Sequence, residues 1–255
     1  MAQAFYNLGV SDTRRISPSM HQVTLAGDDL LSFPEGQAGG YFKLILEPGD
    51  DGRKPLMRTY TIRRQRAREI DVLFALHGDH GAGPATSWAL AAQIGDRMTI
   101  RGPGPAKPSP TDCDFYLIAG DMSALPAITA NLESMDRSAR GVAVLEIQHQ
   151  DDAIAINAPA GMELRWVVNR EPGLHPDLLV ERLREVTIPE TALATGAVAG
   201  WAACEFEAMK RLRSFLRDEI AIAARRLYTS SYWKLGLNET EHKLVKREDA
   251  QQQPA

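Results

Sequence analysis

The stretch PGPAKPSPTD, residues 103–112, places four prolines within ten residues. Proline fixes φ and has no N–H to donate, so such a stretch is stiff and poorly suited to regular structure. It reads as a stiff linker, and it divides the 255-residue chain into two parts that must each build a core. The hydrophobic pattern changes character across it.

Before the linker, short β-rich runs are punctuated by Gly, Pro and Asp: HQVTLAG (21–27), GGYFKLILEP (39–48), LMRTYTIRR (56–64), EIDVLFALHG (69–78) and DRMTIRGPG (96–104). One helical segment, GPATSWALAAQIG (83–95), interrupts them, with Pro84 suited to its first turn. Antiparallel strands at this spacing predict a small β-barrel over residues 1–106. After the linker, strands alternate with helices. CDFYLIAG, GVAVLEIQHQ, ELRWVVNR, LATGAVAGWAACE and RRLYTSSYW read as strands, and ALPAITANLESM, PDLLVERLREV and FEAMKRLRSFLRDEI as helices. This alternation predicts an α/β domain with a mostly parallel sheet over 113–237. Residues 238–255 are polar, and a disordered tail and a charged helix both fit them.

Several function classes are disfavoured at once. A formal net charge of −4 gives no support to nucleic-acid binding. No run of 18 apolar residues exists, so no integral membrane contact is expected. The first residues lack a basic segment followed by an apolar one, which makes a cytoplasmic location the default expectation. Cys113 and Cys204 stand far apart and form no C-x-x-C pair, so no iron–sulfur cluster, cysteine zinc site or other metal centre is expected. His21, His149, His175 and His242 show no ligand spacing and are expected on the surface or in turns.

The stretch MRTYTIR (57–63) carries Arg58, Tyr60 and Thr61. In a strand Arg58 and Tyr60 share one face and Thr61 points to the other. A half-solvated barrel strand explains these residues. So does a flavin site, in which Arg58 forks onto phosphate oxygens, Tyr60 stacks on the flat ring and Thr61, or its backbone, reaches the ring edge. The stretch HGDHGAGPATSWA (77–89) adds glycines that let backbone approach a ligand, and a helix start that offers N–H groups to a pyrophosphate. Thr86 and Ser87 add hydroxyls there. Either stretch alone is common.

Taken in order, RTYTIR, HGDHGAGPATSWA, IAGDMSALPAI, GWAACE and SYWKLGLNE resemble the siderophore-interacting protein family over residues 14 to 239. The family comprises bacterial flavoenzymes that reduce ferric siderophores, in the ferredoxin–NADP reductase-like superfamily. The resemblance implies FAD as cofactor, with Arg58, Tyr60 and Thr61 at the ring and phosphate side. His77, Gly78, Gly83, Pro84, Ala85, Thr86, Ser87 and Trp88 are implied for the pyrophosphate and adenosine region. Asp121, Ser123, Ala124 and Leu125 would lie on a strand-to-helix turn approached by NADH or NADPH, or by the flavin itself. Tyr232 and Trp233 would return toward the flavin. Lys43 and Lys234 match basic positions of the substrate pocket, and a third basic residue is expected from the α/β domain. No catalytic base or nucleophile is implied, because FAD carries the electrons.

The chain departs from the family's usual GDETALPAI and WVAGE forms at Met122, Ser123 and Cys204. These departures leave the choice of NADH, NADPH or ferredoxin open. The implied activity is electron transfer through FAD to a ferric siderophore. A reductase donating to a protein partner and a non-catalytic siderophore-binding flavoprotein are the alternatives.

Overall fold

The structure, a computed structural model, describes residues 4–49, 53–76 and 83–252. The chain forms two compact units. The first holds the chain to Pro108 together with Pro126–Asn131 and Asp151–Ala155, and the second holds the remainder.

The first unit contains β1 (Ala4–Ser17), β2 (Met20–Ala26), β3 (Tyr41–Glu47), β4 (Leu56–Thr61), β5 (Arg64–Arg66), β6 (Glu69–Ala75), helix α1 (Pro84–Ala91) and β7 (Arg97–Gly104). These strands form one sheet in the order β4-β3-β7-β1-β2-β6-β5, antiparallel throughout. The sheet curls into a half-barrel, so that the Tyr60 ring on β4 lies 4.4 Å from that of Phe74 on β6, near the opposite end of the strand order. Alternation sets which face of the sheet is buried. In β1, Tyr6, Leu8 and Val10 are buried while Phe5 and Asn7 face out, and in β7 Met98 and Ile100 are buried between exposed or half-buried Arg97, Thr99 and Arg101. Leu25, Phe42, Leu44, Ile70 and Phe74 complete a dry core. Strand β1 is absent from the sequence expectations. Its second half, SDTRRIS, has no apolar alternation and is a strand because it pairs with β2 as a hairpin.

The second unit contains β8 (Phe115–Gly120), α2 (Leu125–Ser134), β9 (Arg140–Ile147), β10 (Gly161–Val168), α3 (Leu178–Arg184), α4 (Glu190–Thr195), β11 (Val198–Glu205), α5 (Phe206–Ser214), β12 (Leu227–Trp233) and α6 (Glu239–Gln251), although the middle of α2 clusters with the first unit. Its sheet runs β10-β9-β8-β11-β12, and every neighbouring pair is parallel. β11 is buried along its whole length, as a central parallel strand must be. β8 has β9 on one side and β11 on the other, so the strand order reverses there, and in open α/β sheets such a reversal is where ligands bind outside the carboxyl ends of the strands.

Two expectations change, and one that stood open between a tail and a helix is decided. Residues 193–197, expected as strand, divide between the end of α4 and a turn at Gly196, whose φ of 63° stops that helix. The expected helix 206–220 is α-helical only to Ser214 and continues as a π-turn through Glu219. The polar end is a helix: Asn238 and Glu241 form a reciprocal capping box at the start of α6.

Candidate functional site

In the first unit the register places Arg58 opposite Leu44 and Tyr60 opposite Phe42, while Thr59 and Thr61 sit opposite Lys43 and Tyr41. Arg58 and Tyr60 thus share the core-side face of β4, on the edge of the sheet, and both stay partly accessible. Tyr60, Phe74 and Trp88 form an aromatic series with centroid separations of 4.4 and 5.9 Å, joining β4, β6 and α1. Trp88 therefore also serves as packing for the half-barrel core.

Helix α1 opens at Gly83 with Pro84 in its first turn and no side-chain cap. The Ser87 N–H closes onto the Gly83 carbonyl, so the N–H groups of Ala85 and Thr86 precede the first intrahelical bond. A Cβ built on Gly83 would meet nothing within 4 Å. Open space, uncapped N–H donors and the dipole end of a helix make a donor set for an anion, and Arg58 on β4 is a partly accessible cation of the same unit. These residues fit a flavin dinucleotide: a pyrophosphate at α1, a partly exposed Tyr60 ring for stacking, and Thr61 on the opposite face. Ala85 and Thr86 are buried, so their backbone is what they offer. His77 and Gly78 lie outside the described residues.

In the second unit a pair of buried carboxylates holds the carboxyl end of the sheet together. Asp121 follows β8. Its Oδ1 accepts the N–H and hydroxyl of Ser123, and its Oδ2 accepts the Glu205 N–H at 2.9 Å and the Trp233 indole N–H at 2.7 Å. Its backbone carbonyl accepts from Ala124 and Leu125. Glu205, at the end of β11, caps α5 by accepting the N–H groups of Glu207 and Ala208, and accepts that of Leu235 as well. Asp121, Ser123, Ala124 and Trp233 are thus brought together, as one clasp of protein–protein bonds. The N–H groups of Ser123, Ala124 and Leu125 are engaged by Asp121 itself, so this turn is no open phosphate cradle. Asp121 holds the Trp233 indole and the turn backbone through these bonds. Tyr232 is the half-buried neighbour of Trp233 on β12.

Glu146 on β9 was not anticipated. It is buried, accepts one hydrogen bond from Asn169, and has its carboxyl pushed up to about 8 by burial and by the charges of Asp121 and Glu205. The signal was present, since an acid inside the apolar run GVAVLEI is out of place. Burial, with the same carboxylates nearby, raises the Cys204 thiol well above its ordinary range and keeps it protonated.

Lys43 is half-buried on the outward face of β3. Lys234 lies with Nζ 2.6 Å from Glu207 and 4.4 Å from the Phe206 ring centroid, and its ammonium holds the Glu207 carboxyl below the usual range. Its charge is therefore shared with an acid. His242, expected at the surface, is instead buried against Ser231, with its Nε2 2.8 Å from the hydroxyl. α6 carries it inward, because the helix docks on β12 through His242 and Lys246.

Comparison with known proteins places these features in a family. Residues 48–107 match the siderophore-interacting FAD-binding domain, which spans β4 and α1, and residues 113–236 match the siderophore-interacting protein model, which spans the clasp. Ferric vibriobactin reductase ViuB of Vibrio cholerae is 35% identical over 243 residues, covering 88% of this chain and 87% of that protein. An NADPH-dependent ferric-chelate reductase of Escherichia coli K12 is 27% identical over 205 residues, covering 72% and 78%. The crystal structure of the siderophore-interacting protein SipS from Aeromonas hydrophila superposes with a TM-score of 0.83 at 31% identity, covering 98% of this chain and 99% of that one. Two family models in series, and relatives above 30% identity along nearly the whole length, establish that the chain belongs to the siderophore-interacting protein family.

Proposed function

We propose that this protein is an FAD-dependent ferric-siderophore reductase, working in the cytoplasm, that takes electrons from NADH or NADPH and releases iron as Fe(II). The observation that carries the reading is in the first unit: the uncapped start of α1, with open space at Gly83, lies in the same half-barrel as Arg58 and Tyr60 and inside the matched FAD-binding domain. FAD, when bound, supplies the conversion of a two-electron hydride donor into single-electron transfers to iron.

The residues would divide the work as follows. Arg58 and the N–H groups of Ala85 and Thr86 neutralise the pyrophosphate. Tyr60, backed by Phe74, gives the ring a rigid stacking platform. Thr61, whose side chain is on the opposite face, would reach the ring edge through its hydroxyl or its backbone. In the second unit, Asp121 and Glu205 hold Trp233 and the β8–α2 turn in one geometry, and Ser123 and Ala124 form the turn's surface. Lys43 and Lys234 attract the chelate, whose iron is already coordinated and asks for no protein ligand. Fe(II) binds hard oxygen donors more weakly than Fe(III), so reduction loosens the chelate. Among the described residues no group of His, Cys, Asp or Glu could hold a metal ion. No helix among them is long and apolar enough to cross a membrane.

The test is anaerobic. The FAD-loaded protein is mixed separately with NADH, NADPH and reduced ferredoxin while flavin absorbance is followed, and a ferric siderophore is added last. Bleaching by a pyridine nucleotide, reversed by the chelate with Fe(II) trapped by a colorimetric chelator, is the expected result. Bleaching by ferredoxin alone would overturn the nucleotide assignment. Failure of the chelate to reoxidise the flavin would overturn the reductase reading.

A further inference from the structure

Glu207, in the first turn of α5, is shared by two lysines. Its Oε1 lies 2.6 Å from the Lys234 Nζ, and its Oε2 lies 3.3 Å from the Lys210 Nζ. The same two ammonium groups lie 4.4 and 5.6 Å from the centroid of the Phe206 ring. One carboxylate and one aromatic face thus serve two cations, and the cluster keeps a positive charge in excess.

The pairing is rooted in the backbone. The buried Glu205 carboxylate accepts the Glu207 N–H through Oε2, and through Oε1 it accepts the N–H of Leu235, the neighbour of Lys234. It ties the start of α5 to the chain leaving β12, so Glu207 and Lys234 meet from fixed positions. Lys210 stands three residues beyond Glu207, on the same side of the helix. The hydrogen bond from Lys234, and secondarily that from Lys210, holds the Glu207 carboxyl below its usual range. Glu207 is therefore an anion near neutral pH.

An ion pair this open to water contributes little to stability, so a partner of higher charge can displace it. The Lys234 side chain is 23% exposed, and those of Glu207 and Lys210 are each 44% exposed. When Lys234 turns to such a partner, Glu207 is not left bare, because Lys210 already stands at its other oxygen. A neutral ligand offers Lys234 nothing that Glu207 does not, and leaves the pair closed.

We infer that Glu207 is a positioning residue for substrate selection, a counter-ion that yields Lys234 only to strongly anionic chelates and is then held by Lys210. The inference rests on the reading of Lys234 as a substrate-binding residue, and adds to it a threshold of charge. A tris-catecholate complex lies above that threshold and a neutral tris-hydroxamate complex below it.

The test measures binding of two redox-inert gallium(III) complexes to the FAD-loaded protein by tryptophan fluorescence. One is a hexadentate tris-catecholamide and the other a neutral, N-acetylated tris-hydroxamate. K234Q should weaken the catecholate. E207Q should tighten it by about three- to tenfold and leave the hydroxamate where it was. K210Q should weaken the catecholate in the wild-type background and change it far less in E207Q, because Lys210 acts through Glu207. A merely structural role for Glu207 would move both complexes together, and that result would overturn the inference. So would an equal effect of K210Q in both backgrounds, which would make Lys210 a direct contact. If K234Q weakens the catecholate but E207Q does not tighten it, the inference fails alone. If K234Q changes nothing, the reading of Lys234 fails and takes the inference with it.

Discussion

Asp121 was legible as a residue on a strand-to-helix turn, but its work was not. Two of its donors, Glu205 and Trp233, lie 84 and 112 residues away, and nothing local announces them. Asp121→Asn tests the clasp, because the new amide would face the Glu205 and Trp233 N–H groups as a third donor. Such a mismatch in a buried site should cost about 2–4 kcal/mol in urea unfolding and shift the emission of Trp233. Glu146 makes a pH prediction. The native state keeps its proton up to about 8, while the unfolded chain releases it near the ordinary 4.5. Between those values the native state binds more protons, so this residue's contribution to stability is lost as pH rises. Glu146→Gln should therefore flatten the fall in urea midpoint between pH 5 and pH 8.5, and an unchanged slope would show the carboxyl to be ionised throughout.

At the scale of elements, strands with clean alternation were readable and those that depend on a partner were not. β3, β6 and β9 follow their apolar pattern, whereas β1 exists through pairing on both sides, with β7 and with β2. α1 was readable from Pro84, yet its hydrophobic face was not, and Thr86 turns out buried. Gly83→Asp separates the fold of α1 from its role. With φ at −62° and open space, an aspartate fits and caps the helix, but it sets a carboxylate where the pyrophosphate would lie. The variant should keep or raise its apo Tm and lose FAD, read as the flavin-to-protein absorbance ratio after purification. α6 has its own pH signature. Burial, and secondarily Lys246, lowers the His242 imidazole to about 4 from an ordinary 6.5. Below 6.5 the unfolded helix takes up a proton that the docked one refuses, so docking weakens as pH falls toward 4. Amide exchange in α6, corrected for intrinsic rate, should accelerate between pH 6.5 and 4, and less so in His242→Gln.

The whole molecule carries the one division that composition made obvious, the proline-rich stretch, and shows why a composition boundary is not a complete one. We propose the half-barrel, the α/β domain and the terminal helix as the working parts, but the first compact unit also takes in Pro126–Asn131 and Asp151–Ala155. Asp152 shows the reason. It is 1% exposed, and its Oδ1 accepts the Ser17 hydroxyl and the Ser19 N–H, both at 2.7 Å, at the β1–β2 turn. A fragment ending at residue 112 lacks that carboxylate and leaves the Ser19 N–H unpaired. Each buried polar group left without a partner costs about 1–3 kcal/mol, a large share of what a half-barrel of this size can spare. The fragment should therefore unfold at lower urea than the full chain and retain less FAD. Asp152→Ala in the full chain should reproduce part of that loss without touching any residue assigned to the flavin. If the fragment matched the full chain in urea midpoint and FAD retention, the linker would be a true domain boundary and Asp152 incidental to the half-barrel.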